Sequence, residues 1–345
     1  MRRAYAYTGL VVFSWGCSLP ATKALLLAER EGQRLTPLEV AFWAIGVGWF
    51  ALFLTLAARG QLPRLCTIAG RGWLILIAMG FFGWAGYATA LNTAFTLLPL
   101  PDAVIINYLH PVFVVIFQGT AFGVIVRSFS RWEDKLPVAP RSMWRLGLGV
   151  VLCLLGVALI ATNGRIYEIG RRPLGVGVLA ALFAAVSWGV YSNLGRFVTL
   201  RPGANKRDMG GLHGWAAMTF GVGMLFLALL PQGGPSFPGG YVALLYLGTL
   251  GPCQVSAWAL LAFMGVIVYG GGYTLWLVAI ELGRRAGEAH KLPSLTYLTP
   301  VLAVLLGWLL LREPFGREFW QGAAFIAAGN AIIAFGRRRA PQMEV

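Results

Sequence analysis

Apolar residues along this chain fall into blocks of about 20, separated by short polar or glycine- and proline-rich segments. A helix needs about 20 apolar residues to cross the hydrocarbon core of a bilayer. The pattern therefore predicts an all-α integral membrane protein with ten transmembrane helices. Their approximate ranges are 5–28, 37–58, 72–97, 100–126, 143–163, 174–198, 211–230, 256–282, 286–311 and 317–336.

The apolar stretch 241–255 does not fit this series, because it is too short to span and contains the helix-breaking pair Gly251-Pro252. We expect an interfacial or re-entrant element there. If it were an eleventh span, every later loop would change sides.

Composition and charge agree with a membrane protein. Hydrophobic residues make up 58% of the chain and charged residues 12%, which is about half the charged share of a soluble domain. With ten spans and both termini in the cytoplasm, most of the 28 lysines and arginines lie on the cytoplasmic side, as the positive-inside rule requires. The positive-inside arrangement therefore explains the net charge of +15 better than nucleic-acid binding does. We expect a multi-pass protein of the cell (inner) membrane.

The chain repeats itself internally. Ser-Trp-Gly at 14–16, followed by Lys23, recurs as Ser-Trp-Gly at 187–189, followed by Arg196, with an offset of 173 residues. Later in each half the offset becomes 189, which pairs Tyr87 with Trp276 and predicts an insertion near 241–255. The repeats are predicted over 1–165 and 172–339. Because each holds five spans, an odd number, the second is inverted relative to the first, as in many secondary transporters.

These features resemble the EamA family of the drug/metabolite transporter (DMT) superfamily. The resemblance is carried by Trp-Gly followed by a basic residue in helix one, Tyr-Leu-x-Pro in helices four and nine, and Leu-Leu-Leu-Arg-Glu-Pro-Phe at 309–315. Asn-Tyr-Leu-His-Pro-Val at 107–112 is similar to the aromatic amino acid exporter branch. Two features depart from the pattern: Val124 stands where the repeat would place the counterpart of Glu313, and the insertion near 241–255 is unusual.

Polar residues inside spans tend to face other helices or a water-filled pathway. Helix four carries a polar stripe with Asn107 and His110, and helix nine carries Ser294 and Tyr297. Aromatic residues near the span centres add a second set of candidates. Together the predicted substrate-binding residues are Trp15, Ser18, Tyr87, Asn107, His110, Trp188, Tyr191, Trp276, Ser294 and Tyr297.

Two basic residues, Lys23 and Arg196, lie eight positions beyond Trp15 and Trp188. Eight residues correspond to about 12 Å along a helix. Either both side chains snorkel to the membrane surface, or they flank the two gates of one pathway.

The sequence lacks the usual marks of an enzyme or a cofactor protein. The four cysteines have no metal or disulfide spacing, the three histidines lie on different spans, and no Walker motif is present. We therefore expect no catalytic residues, no metal and no cofactor.

The resemblance implies a secondary-active transporter, an exporter rather than an importer, of a small organic metabolite such as an amino acid, with aromatic ones favoured. Its expected partners are the solute and the bilayer, and coupling to a proton or another ion stays open, as does the oligomeric state. The alternatives are another solute class in the same fold (a carboxylate, an amine or a nucleotide-sugar-like solute) or a membrane enzyme.

Overall fold

The computed structural model describes residues 2–119, 143–161, 164, 175–198, 210–246, 251–285, 292, 296, 298–313 and 316–335. The structure is mostly helical. Its α-helices are α1 Arg2–Leu27, α2 Pro37–Ala58, α3 Gly70–Gly80, α4 Gly86–Leu97, α5 Leu100–Asn107, α6 His110–Gly119, α7 Met143–Ala161, α8 Val176–Leu194, α9 Gly210–Leu229, α10 Ala257–Ala262, α11 Tyr273–Arg285, α12 Leu298–Leu311 and α13 Arg317–Phe335.

Two π-helical segments each join two α-helices into one longer helix. Phe81–Ala85 joins α3 to α4, and Phe263–Gly272 joins α10 to α11. Each inserts extra backbone into the helical ladder, a change that is frequent at functional sites. Under the 189-residue offset the two segments overlap, so the irregularity recurs at a related place in the third and eighth predicted spans.

Among the described residues, six helices are long and apolar enough to cross a membrane, so this is a multi-pass membrane protein. They are Arg2–Leu27, Pro37–Ala58, Gly70–Leu97, Val176–Leu194, Gly211–Gln232 and Ala257–Trp276. They match the predicted spans one, two, three, six, seven and eight. The other four predicted spans contain α5 with α6, α7, α12 and α13, and each also includes residues outside the described ones.

The expectation of an all-α fold is wrong in one region. Four short strands form an antiparallel sheet in the order β2-β1-β3-β4, with β1 Glu29–Arg30, β2 Gln33–Arg34, β3 Val242–Tyr246 and β4 Pro252–Ser256. Within the apolar stretch 241–255, Val242–Tyr246 and Pro252–Ser256 are therefore paired strands and not parts of an eleventh helical span.

The hairpin forms because the first side chains of β3 alternate between exposed and buried, and because the strand pairs with β4 and β1. Glu29, directly after α1, pairs with Val242, so the α1–α2 connection and the chain before α10 meet at one end of the helices. Tyr241 and Ala243 are buried beneath the sheet in the main hydrophobic core. The strands thus satisfy their backbone groups outside the spans, as membrane proteins require.

The fourth predicted span is interrupted where a continuous polar stripe was expected. α5 ends at Asn107 and α6 begins at His110. Pro111 has no N–H to donate to the Asn107 carbonyl, which lies four residues earlier. The imidazole Nδ1 of His110 lies 3.2 Å from that carbonyl oxygen instead. The two polar residues therefore stay together although the helix breaks between them.

Glycines allow several pairs of helices to approach closely, among them the following three. A Cβ on Gly16 in α1 would lie 2.8 Å from the Leu302 Cβ in α12, and one on Gly189 in α8 would lie 2.6 Å from the Phe113 Cβ in α6. In the third pair, α7 and α13, a Cβ on Gly156 would lie 2.6 Å from the Gly322 carbonyl oxygen. Small residues at such positions are the usual means of packing helices in membranes.

Candidate solute-binding site

Four of the predicted aromatic residues form two ring pairs. The rings of Tyr87 in α4 and Trp188 in α8 have centroids 5.0 Å apart. The rings of Trp15 in α1 and Trp276 in α11 have centroids 5.7 Å apart. All four residues are partly buried. Tilted rings at these separations attract each other and present apolar faces to a third ring.

The Tyr87–Trp188 pair belongs to a larger aromatic cluster. The Trp188 ring centroid lies 5.2 Å from that of Tyr191 and 6.2 Å from that of His110. The His110 ring is in turn 5.2 Å from that of Tyr108. The cluster therefore brings four elements together, α4, the α5–α6 break, α6 and α8, around rings that are far apart in sequence.

Asn107 supplies the polar part of this cluster. Its side-chain Nδ2 donates to the Tyr87 hydroxyl at 3.3 Å, while its Oδ1 is buried and has no hydrogen-bond partner. Only 2% of the residue is exposed. An unpaired buried acceptor is costly. Such an unpaired acceptor fits a binding site in which a bound molecule supplies the hydrogen-bond donor.

The orientation of the His110 ring follows from the backbone. A carbonyl oxygen can only accept, so Nδ1 carries the proton in its contact with Asn107. The second ring nitrogen, Nε2, is then an acceptor in the neutral imidazole. His110 and Asn107 together therefore offer two acceptor atoms beside the rings.

Three further aromatic residues belong to the site and escaped the sequence prediction. Trp84, in the first π segment, has its ring centroid 6.2 Å from that of Tyr191 and 5.9 Å from that of Tyr269 in the second π segment. The hydroxyls of Tyr191 and Tyr273 are hydrogen-bonded. The 189-residue offset could have identified two of the three, because it pairs Trp84 with Tyr273.

The other predicted residues are placed as follows. The Ser18 hydroxyl donates to the Trp15 carbonyl at 2.7 Å, so it is already bonded within α1. Lys23 does not snorkel: 7% of it is exposed, and it pairs with Glu313. Arg196 lies on the 3-10 turn Gly195–Phe197, and its side chain lies outside the description. Ser294 and Tyr297 also lie outside the described residues.

Within the described part of the chain, no three His, Cys, Asp or Glu side chains are grouped so that they could hold a metal ion. The site consists instead of aromatic faces with a few hydrogen-bonding groups. This composition is typical of pockets for small organic molecules.

Comparison with known proteins identifies the family. The profile of the EamA-like transporter family matches residues 2–130 and again residues 175–335. The chain belongs to the EamA-like transporter family. The resemblance seen in the motifs is thereby confirmed, and the EamA fold accounts for the apolar helices.

Similar proteins are also named as transporters. The uncharacterized transporter YvbV of Bacillus subtilis is 27% identical over 318 residues, covering 86% of this chain and 91% of the relative. The aromatic amino acid exporter YddG of Salmonella typhimurium is 24% identical over 267 residues, covering 74% of this chain and 71% of the relative. A solved crystal structure, 20% identical, superposes with a TM-score of 0.53 over 96% of both chains, which shows the fold alone.

Proposed function

We propose that this EamA protein is a secondary-active exporter of a small organic solute, with an aromatic amino acid as the first candidate. The observation that carries the proposal is the pair of aromatic contacts, Tyr87 with Trp188 and Trp15 with Trp276. Flat aromatic walls with nearby hydrogen-bonding groups suit a solute that has a ring and polar substituents. The name of the Salmonella relative, an aromatic amino acid exporter, supports the same solute.

The two ring pairs support an origin in two equivalent halves. Trp15 and Trp188 are related by the 173-residue offset, and Tyr87 and Trp276 by the 189-residue offset. Each pair therefore joins a residue of one proposed half to a residue of the other. A site at the interface between repeats is the usual arrangement in transporters built this way.

Helix packing supports the same symmetry. Gly16 and Gly189 are equivalent under the first offset, and their contacts Leu302 and Phe113 are equivalent under the second. The repeats we propose thus use the same glycine against the same neighbouring position. The two matches of the family profile, one in each part of the chain, agree with this interpretation.

The α7–α13 contact supports the inversion. Gly156 approaches Gly322, and Gly329 approaches Gly149, so the two helices run antiparallel. In the last span of each half the glycines align again at the first offset, 173 residues, which converts Gly149 to Gly322 and Gly156 to Gly329 and so exchanges the two contacts. A contact that maps onto itself is what a two-fold axis produces. An axis that relates antiparallel helices lies in the membrane plane, as inverted repeats require.

The proposed mechanism is alternating access in the cell (inner) membrane, with both termini in the cytoplasm. One helix set would rock against the other around the aromatic cluster, driven by a solute gradient or by coupling to a proton or another ion. Ser294, Tyr297, Lys23 and Arg196 remain part of this proposal as a solute contact set and two gate residues.

The second candidate is another solute class in the same fold, such as a carboxylate, an amine or a nucleotide-sugar-like molecule. Asn107 and His110 offer acceptors, which favours a solute with N–H donors over an acid. A membrane enzyme is less well supported, because catalysis would need a nucleophile with a partnered base or a bound metal.

Counterflow in proteoliposomes tests the proposal. Vesicles that contain the purified protein are preloaded with one unlabelled amino acid, and uptake of the same labelled amino acid is followed. We expect saturable accumulation with tryptophan, tyrosine or phenylalanine and none with glutamate. If no amino acid of the panel accumulates, although the protein elutes as a folded monodisperse sample, the aromatic amino acid assignment is contradicted.

A further inference from the structure

A buried ion pair joins α1 to the chain just beyond α12. The Lys23 Nζ lies 3.2 Å from the Glu313 Oε1, and their side chains are 9% and 16% exposed. Moving two charges out of water costs several kcal/mol for each ion. Such a pair persists only where further hydrogen bonds satisfy the remaining donors and acceptors.

Those hydrogen bonds come from the turn between α4 and α5. The Lys23 ammonium also donates to the Leu98 carbonyl at 2.9 Å and to the Phe95 carbonyl. The Glu313 Oε2 accepts from the Leu100 N–H. The last carbonyls of one helix and the first N–H groups of the next lack intrahelical partners. The ion pair therefore caps both helix ends and holds the turn against α1 and α12.

The small sheet lies at the same end of the molecule. Arg312, next to Glu313, places its guanidinium 5.3 Å from the centre of the Tyr246 ring in β3. β3 pairs with β1, which directly follows α1. Glu313 therefore follows α12 at a point where the chain also contacts the sheet through Arg312. We assign α1, α12 and the sheet to one side of the Lys23–Glu313 contact and the α4–α5 turn to the other side.

We propose that Lys23 and Glu313 form a gate latch, which holds the sheet-bearing end of the transporter closed and must release during each transport cycle. This inference rests on the proposed alternating access. Release would separate α1, α12 and the sheet from the α4–α5 turn. The contact deepens the assignment of Lys23 as a gate residue by identifying its acidic partner and its backbone acceptors.

The repeat makes the latch one-sided. Under the two offsets, the positions equivalent to Lys23 and Glu313 are Arg196 and Val124. The base is repeated in the second half, but the acid is replaced by valine. Valine has no charge, so Val124 cannot form the equivalent ion pair with Arg196. The latch should therefore favour closure of the sheet-bearing end, and the resting protein should be open at the end that lacks the sheet.

Distance measurement between spin labels tests the latch without any solute. One label is placed at Thr96 near the end of α4 and the other at Trp308 in α12, both of which are exposed. We expect Lys23→Met and Glu313→Gln each to raise the ratio of long to short distances at least about tenfold, because each leaves the partner as an uncompensated buried charge. Unchanged distances in both variants would overturn the latch.

A matched control is available at the same end. Arg34 donates to Glu29 at 2.7 Å on the exposed edge of the sheet. Exposed pairs contribute little. Arg34→Gln should therefore leave the distance distribution unchanged. A shift as large as that of Glu313→Gln would show that any lost charge at this end opens it, and would overturn the specific role of Lys23.

The double variant Lys23→Glu with Glu313→Lys separates a simple ion pair from the proposed latch. The exchanged carboxylate would face the Phe95 and Leu98 carbonyl oxygens, and the exchanged ammonium would face the Leu100 N–H. We therefore expect no recovery of the short distance. Full recovery would overturn the claim that the turn is held through its backbone groups.

The outcomes for the latch and for the proposed function are distinguishable. Shifted distances together with no counterflow of aromatic amino acids would support the latch and remove the solute assignment. Counterflow of aromatic amino acids together with unchanged distances would support the solute assignment and overturn the latch. Gel-filtration profiles and melting temperatures establish that each variant is folded, and Glu313→Gln, which keeps the side-chain shape, serves if Lys23→Met does not fold.

Discussion

The Trp188 ring packs against three other rings of the candidate site. Its indole lies against Tyr87, Tyr191 and His110, with centroid separations of 5.0, 5.2 and 6.2 Å. Each aromatic pair contributes about 0.5–1.5 kcal/mol beyond area burial. Removing one ring therefore weakens three contacts and one wall of the proposed site at once.

We expect Trp188→Ala to lower the apparent affinity for an aromatic solute by at least about tenfold, since about 1.4 kcal/mol corresponds to a factor of ten. Phe183→Ala is the matched control, because Phe183 lies on the same helix and is 43% exposed. The measurement is the concentration dependence of counterflow for both variants. Equal effects would show that the loss comes from α8 as a whole and not from the site.

Asn107 offers a second prediction at this scale. Its buried Oδ1 has no partner, and its Nδ2 donates to Tyr87. Asn107→Leu removes both groups while keeping a similar volume. If the oxygen accepts from the solute amino group, the variant should lose its preference for tryptophan over indole-3-propionate, which lacks that group. Competition for labelled tryptophan measures the preference, and an unchanged ratio would contradict the role given to Asn107.

At the scale of elements, hydrophobic periodicity and the repeat offsets predicted the long helices and the paired rings. They did not predict contacts between residues that are distant in the sequence and do not repeat. The blocks of apolar residues located the six long spans, and the offsets selected Trp15, Trp188, Tyr87 and Trp276, which pair in the structure. The Lys23–Glu313 pair could not be found this way. Its members are 290 positions apart and do not repeat, so only the fold brings them together.

The β-hairpin and the π segments were missed for local physical reasons. An apolar stretch of five residues is compatible with a strand or a short helix until its hydrogen-bond partner is known. The partner of Val242 is Glu29, and six predicted spans separate the two residues in the sequence. A π segment has the same composition as the α-helix around it, and only its backbone register differs.

The α7–α13 contact gives an element-scale prediction. A Cβ on Gly156 would lie 2.6 Å from the Gly322 oxygen, and one on Gly329 would lie 2.5 Å from the Gly149 oxygen. Overpacking of this kind costs about 1–3 kcal/mol. Gly156→Val and Gly329→Val should therefore each lower the melting temperature in detergent, by similar amounts if the contact is two-fold symmetric.

The control for this pair is Gly147→Val, on the same helix as Gly156, where a Cβ would meet nothing within 4 Å. It should leave the melting temperature unchanged or raise it slightly, because glycine is a poor helix former. A loss equal to that of Gly156→Val would show that valine itself, and not the close approach of α7 and α13, is responsible.

At the scale of the whole molecule, the sheet and the proposed symmetry constrain the topology together. The sheet joins the α1–α2 connection to the chain before α10, so these two segments lie at the same end. The chain between α2 and α3 lies at the other end of α2, which is long enough to span. With a cytoplasmic N-terminus, the sheet would be outside the cytoplasm and the latch would close the outer end.

Cysteine accessibility tests this orientation in intact cells. Cys66 is exposed and lies in the connection after α2, whereas Gln33 is exposed in β2 before it. In a background in which all four native cysteines are replaced, a membrane-impermeant maleimide should label Gln33→Cys directly and a restored Cys66 only after permeabilisation. Labelling of Cys66 alone would mean that the bundle is reversed, so that the latch closes the cytoplasmic end. Equal labelling of Gln33→Cys and Cys66 would mean that α2 does not cross the membrane, which would contradict the ten-span topology.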